Sequence, residues 1–245
     1  MPPPPPSTSG IDSLITASEN RAMFDRIAPH YDAANRALSF GLDRRWRRKA
    51  VAALAPVAGG RYLDIGTGTG DVAFEILRQA PGARVTGLDP AERMLAIARQ
   101  KAEALNVADG VAFEVGDAGR LPAVPASVDG VISAFCFRNI AQRKAALDEM
   151  RRVLRDDGTL VLLELTYPRQ PLMRLCFRLY SLAIPGVGYV AGNARAYRYL
   201  VESIEAFLRP GELLGMLEAT GFKAVQHRPL SGGVVSIFSA RKAVT

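Results

Sequence analysis

The chain has 245 residues, 49% of them apolar and 22% charged, with a formal net charge of +7. No uninterrupted apolar run approaches the roughly 20 residues a spanning helix needs, so no transmembrane segment is expected, and the core can serve one large domain or two small ones. Two cysteines, Cys136 and Cys176, and two histidines, His30 and His227, offer neither a disulfide framework nor a His-rich metal site and suit a reducing compartment, while the positive charge favours an anionic partner: nucleic acid, a membrane surface or an acidic substrate.

The N-terminal MPPPPPSTSG has neither the basic leader nor the apolar segment of a secretory signal. Residues 1–18 are therefore expected to be a disordered, extended, proline-rich tail. From Arg61 onward β-like runs alternate with helical patterns, which predicts an α/β domain with a mostly parallel sheet. The strands are RYLDIG, ARVTGLD, VAFEVGD, VDGVISAF and GTLVLLEL; helices over AERMLAIARQKAEAL and QRKAALDEMRRVL lie between them. After GELLGMLEATG, the runs FKAVQHRPL and GGVVSIFSARK flank Ser231 to Gly233 and predict a hairpin that closes the sheet antiparallel, for seven strands in all. Residues 167–207 are too long for a simple connection and are expected to be a helical insertion over the carboxyl edge. No repeat or second boundary is visible, so residues 19–245 read as a single domain.

The most chemically suggestive stretch is YLDIGTGTGDVAFEIL. It places Gly66, Gly68 and Gly70 between a strand and a helix, where a ligand can approach the backbone. Asp64 stands beside this loop, Asp89 closes the next strand at the spacing expected of a ribose-binding acid, and Asp117 is expected to end the third. A crevice ringed by acids is awkward for a pyrophosphate and favourable for a ligand with a sulfonium and an ammonium. Charge thus favours S-adenosylmethionine over NAD, and the sixth position of GxGxxG is Asp71. The expected contacts are the backbone from Gly66 through Thr67 and Gly68 to Gly70, the Thr69 hydroxyl, Asp64, Asp89 at the ribose, Asp117 with the adjoining Ala118 at the adenine amino group, and Met94 on the adenine face.

Four segments carry a resemblance to a known family: MFDRIAPHYDAANRALSFGLDRRWRR, DIGTGTGD, the FxxRN of AFCFRNI, and YRYLVESIEAF with SGGVV. From Met23 to Lys242 the chain resembles the ubiquinone/menaquinone biosynthesis C-methyltransferases. The resemblance implies the class I S-adenosylmethionine-dependent fold, with a Rossmann-like sheet under a helical cap formed by residues 19–58, and C-methylation of a polyprenylated quinol, demethylmenaquinol ahead of the benzoquinol of ubiquinone biosynthesis. The chain departs from the family pattern at Ala134, a position the resemblance places beside the cofactor and where Ser or Gly is usual, so that a side-chain contact sometimes made there is absent, and also at Leu208 and Phe238.

AFCFRN ends the fourth strand, beside the ligand crevice of an open α/β sheet. Arg138 is therefore expected to stabilise a developing phenolate, Asn139 to orient the ring and Tyr31 to add a third polar group. Water or Asp32 would take the ring proton, and no metal is expected. A lipid-dissolved substrate implies transient contact with the membrane surface by a cytoplasmic protein at its inner face. DRRWRRK, and Phe177, Leu179, Tyr180, Leu182 and Ile184 as prenyl tunnel or interfacial patch, are the expected means. No nucleic acid is expected, and the oligomeric state is left open, a homodimer included. Competing readings are another phenolic acceptor, a phospholipid amine and, from a different class, a NAD-binding oxidoreductase.

Overall fold

The computed structural model describes residues 16–168, 170–175, 177–180 and 194–244. Its sheet has seven strands: β1 (Arg61–Ile65), β2 (Arg84–Asp89), β3 (Val111–Val115), β4 (Val128–Ala134), β5 (Leu154–Leu165), β6 (Phe222–Leu230) and β7 (Val235–Lys242), in the order β3-β2-β1-β4-β5-β7-β6. The first five pair in parallel, and β7 enters antiparallel between β5 and β6. Pro229, which cannot donate to a ladder, lies on the edge strand β6.

Apolar residues of the central strands alternate between two cores. Tyr62, Ile132, Val161, Leu163 and Ile237 face one; Leu63, Val131, Leu160, Leu162 and Phe238 face the other. Burial on both faces explains why these strands read as continuous apolar runs. The first face is covered by α3 (Asp43–Leu54), α4 (Asp71–Gln79) and α5 (Glu92–Ala104), and the second by α6 (Arg143–Val153) and α8 (Pro210–Ala219).

Two helices precede α3: α1 (Ala17–Ile27) and α2 (Tyr31–Leu38). Thr16 and Glu19 form a capping box at the start of α1. The expected tail therefore overreaches, because Ala17 and Ser18 are already helical; residues 1–15 lie outside the described residues. Residues 171–175 and 177–180 are helical, and α7 (Ala194–Glu205) follows. Leu182 and Ile184 also lie outside the described residues.

Candidate functional site

The loop after β1 is built so that its backbone lies open to a ligand. Gly66, Gly68 and Gly70 all have positive φ (70°, 56° and 86°), a region that side chains rarely adopt. Gly66 has a second constraint, since an added Cβ would fall on the Cys136 side chain. The Gly66 and Thr67 amides both donate to Leu88 O, at 2.8 and 3.0 Å, tying the loop to the end of β2. Asp89 completes the tie: one carboxylate oxygen accepts from the Gly68 amide and the other from the Ala91 amide, both at 2.9 Å. Burial pushes the Asp89 carboxyl up, and these two amides pull it partly back.

Asp64 is 1% exposed. Its Oδ2 accepts from the Thr67 hydroxyl at 2.7 Å, while its Oδ1 is buried without a hydrogen-bond partner among the described residues, though the Ala73 amide also favours the carboxylate. Burial raises its carboxyl to about 7, opposed by the Thr67 hydrogen bond and assisted by the charge of Asp89. A buried acceptor beside an open glycine cradle suits a ligand bearing an ammonium or sulfonium, so the residues fit S-adenosylmethionine.

The helical cap is anchored to this loop by ions. Lys101 Nζ on α5 donates to Asp71 Oδ1 at 2.5 Å, to Asp32 Oδ2 at 3.0 Å and to Thr69 Oγ1 at 3.3 Å, and Thr69 donates to Asp32 Oδ1 at 2.6 Å. Although burial works against it, Lys101 and Arg47 hold the Asp71 carboxyl below its ordinary range. The Thr69 hydroxyl, expected at the cofactor, and Asp32, expected along with water as an acceptor of the ring proton, are hydrogen-bonded to each other and to Lys101.

Beside the loop is a cavity of about 390 Å³, lined by cap residues including Tyr31, Trp46 and Arg47, and by Phe135, Arg138, Phe177, Tyr180 and Tyr199. Tyr31 joins cavity to loop: a Cβ at Gly68 would lie 3.8 Å from its ring. Burial pushes its phenol up. AFCFRN turns sharply out of β4 because Phe135 sits in the left-handed region (φ 59°), an uncommon conformation for so bulky a residue. This turn brings Arg138 back over the strand end. Its backbone amide and Nη1 donate to Glu164 at 3.1 and 3.0 Å, Nη1 also donates to Phe135 O, and Nε donates to Ser203 Oγ at 3.3 Å. Among the described residues no protein acceptor takes Nη2, which leaves that donor for the cavity that Arg138 lines.

Three independent comparisons bear on this arrangement. The model of the ubiE/COQ5 methyltransferase family matches residues 15–242. The chain belongs to the ubiE/COQ5 methyltransferase family. It is thus an S-adenosylmethionine-dependent methyltransferase, and the NAD-binding reading falls. It is 44% identical to the ubiquinone/menaquinone biosynthesis C-methyltransferase UbiE of Syntrophotalea carbinolica over 92% of this chain and 95% of the relative. To the demethylmenaquinone methyltransferases of Deinococcus radiodurans and Thermus thermophilus it is 46% and 47% identical, over 90% and 88% of this chain and 91% and 97% of theirs. Among solved structures, the [4+2]-cyclase SpnF superposes with a TM-score of 0.73 at 18% identity, over 97% of this chain and 100% of SpnF. An Aquifex aeolicus S-adenosylmethionine-dependent methyltransferase gives 0.59 at 18%, over 80% and 88%. At such identity these two speak for the fold alone.

Asp117 and Asn139 of this ubiE/COQ5 methyltransferase stand elsewhere than the sequence implied, while Ala118, Met94 and Ala134 pack in or against its cores. Asp117 lies beyond β3, which stops at Val115; it is exposed and caps its own turn by accepting from the Gly119 amide at 2.6 Å. Ala118 packs against the second core. Met94 is 1% exposed in a cluster with Ala28, Ala91 and the ring of Tyr31, under the cap. Asn139 stands behind the cavity wall, its Oδ1 accepting from the Tyr199 hydroxyl at 3.0 Å, while Tyr199 in turn accepts from Asn20 at 2.9 Å. Ala134 is half-buried against the first core.

The basic cluster DRRWRRK is only partly a surface. Arg47 is buried, pairs with Asp43 at 2.5 Å and lies 5.4 Å from the Phe135 ring centroid; Trp46 donates to Ser231 Oγ at 3.0 Å and meets Phe135 edge-on. Arg44, Arg45, Arg48 and Lys49 remain exposed. Glu164, fully buried at the end of β5, was not singled out from the sequence, nor were Lys101 and Tyr199. Burial pushes the Glu164 carboxyl up, and Arg138 recovers only part of that shift. Burial also raises the Cys136 thiol, so the group is not a ready nucleophile.

Proposed function

We propose that the protein methylates a ring carbon of a polyprenylated quinol, with demethylmenaquinol as the preferred acceptor and the benzoquinol of ubiquinone biosynthesis as the second. The observation that carries this reading is Arg138, a buried charged donor that lines an aromatic cavity beside the glycine loop and whose Nη2 is taken by no acceptor among the described residues. The names of the relatives support it, two of them specifying demethylmenaquinone.

Bound S-adenosylmethionine supplies an electrophilic sulfonium methyl. The chain's residues do the rest by placement. Gly66 to Gly70 and Asp64 hold the donor, with Asp89 at its ribose. Arg138 Nη2 hydrogen-bonds a ring hydroxyl and lowers its pKa, so electron density rises at the adjacent carbon. Tyr31 borders both ligands and fixes the angle between them. Phe135 and Trp46 exclude water from the ring face. A carbon–methyl bond forms as the sulfur–methyl bond breaks, and the ring proton is then lost. With Asp32 held by Lys101 and Thr69, that proton passes to water.

The test uses purified protein, methyl-labelled S-adenosylmethionine and short-chain demethylmenaquinol or demethylated benzoquinol in detergent, with ring label read by mass spectrometry. Label on the naphthoquinol ring that falls at least a hundredfold in Arg138→Ala, with cofactor affinity kept, is the expected result. No label on either quinol from protein that binds the cofactor would overturn it.

A further inference from the structure

Residues 165–201 contain five arginines and no acidic residue. Within them Leu172, Leu175 and Leu179, spaced as one helix face, are 70%, 55% and 61% exposed, while Phe177 turns inward, 5% exposed, to the cavity and the Tyr167 ring. Phe40 is 82% exposed in the turn between α2 and α3, and its ring lies 6.5 Å from that of Tyr180, a cavity-lining residue. Tyr180 is itself tied to the cap through a 2.6 Å hydrogen bond to Leu38 O. Phe40 and the exposed leucines thus lie on two elements of the cavity wall that meet at Tyr180, with exposed Arg178, Arg44 and Arg45 beside them in the chain.

We propose that this face, Phe40 with Leu172, Leu175 and Leu179, is the surface by which the protein docks on an anionic lipid bilayer. Its purpose rests on the prenylated-quinol reading; the docking itself does not. Charge selects the occupant. A second copy placed symmetrically on the same patch would set these arginines against their own equivalents, whereas anionic headgroups meet them with opposite sign while the leucines enter the acyl boundary. The same helical segment would then roof the cavity on one side and rest on lipid on the other.

The test is sedimentation of the full chain with vesicles of phosphatidylcholine alone or mixed with phosphatidylglycerol, whose negative surface potential attracts such arginines, in the absence of any quinol. Binding to the anionic vesicles that weakens with salt is expected. Arg178→Gln should weaken it about fivefold, the worth of one surface arginine. Phe40→Ser/Leu172→Ser/Leu175→Ser should weaken it more than tenfold while keeping its circular dichroism, its cofactor affinity and its turnover of a water-soluble short-chain quinol. No binding by the wild type, equal binding by the triple variant, or a wild-type dimer that the triple variant splits would each overturn the proposal. Because no quinol is present, the vesicle result stands or falls apart from the methylation assay.

Discussion

Removing the Glu164 carboxylate should be among the most damaging single changes available to this fold. Arg138 is 5% exposed and Glu164 fully buried, with 3.0 Å between their charged atoms. Glu164→Ala leaves the guanidinium buried without its counter-charge, a loss of about 3–5 kcal/mol. It also removes the acceptor for the Arg138 and Leu165 amides, each worth about 1–3 kcal/mol if nothing replaces it. These terms overlap, so the total should sit near 4–5 kcal/mol, against the roughly 5–15 kcal/mol of a whole domain. Urea denaturation followed by circular dichroism measures the loss as a shift in midpoint at constant slope. The double variant Glu164→Leu/Arg138→Met should recover at least about 2 kcal/mol of it, because apolar replacement of a buried pair is often nearly neutral. A loss under about 1 kcal/mol in Glu164→Ala, or a cycle additive to within about 0.5 kcal/mol, would refute the claim that Glu164 compensates Arg138.

Three further outcomes follow from the loop and cap. The Asp64 carboxyl is raised to about 7 in the fold, so the stability it contributes is full below its ordinary value and fades as pH rises through 7; a cationic ligand reverses the preference, and S-adenosylmethionine affinity by calorimetry should therefore strengthen from pH 6 to 8, about as far as one such ionisation allows, and lose that trend in Asp64→Asn. Gly66→Ala combines a left-handed backbone with a collision on Cys136 and should cost about 2–4 kcal/mol with loss of cofactor binding; a melting temperature within about 2 °C of wild type would show the loop to be more compliant than its geometry. Lys101→Ala removes the tie among Asp32, Thr69 and Asp71, so amide exchange across α2 should quicken and cofactor release accelerate, while the sheet stays protected; unchanged exchange in α2 would deny Lys101 its anchoring role.

Much of the architecture was legible because it depends on local pattern. The parallel strands announced themselves as apolar runs since both faces are buried, and the hairpin through Ser231 to Gly233 followed from its turn residues. What escaped depends on partners far apart in the chain. Glu164 is one acid inside GTLVLLEL, and an acid in a buried strand needs a counter-charge, but nothing local points to an arginine 26 positions earlier. The inward turn of Arg47 did leave a trace: Asp43, Arg47, Ala50 and Leu54 recur at helical spacing, and all are buried. Charge composition outweighed that phase, and the cluster was read as surface. The left-handed Phe135 left none, since glycine, asparagine and aspartate signal such a conformation and phenylalanine does not.

Ion pairing around the site leaves the field there to a few groups. Arg47 is held by Asp43, Lys101 by Asp32 and Asp71, and Arg138 by Glu164. These pairs neutralise most of the buried charge brought together by the cap, the loop and the roof, so they fix geometry more than they create potential. Among the described residues two atoms flank the proposed ligands, Asp64 Oδ1, buried without a partner on the loop side, and Arg138 Nη2, which no acceptor takes, on the cavity side; Arg36 Nε in the cap is also buried without a partner. The first favours a positive ligand and the second a negative one. A methyl transfer from a sulfonium to a phenolate-like ring begins with those two charges in that order and ends with both removed. A site that prefers the separated charges would oppose the reaction. In the proposed reaction each of these groups is already half engaged, Asp64 by Thr67 and Arg138 by Glu164, so their preference would bind and orient the reactants without holding them against their mutual neutralisation.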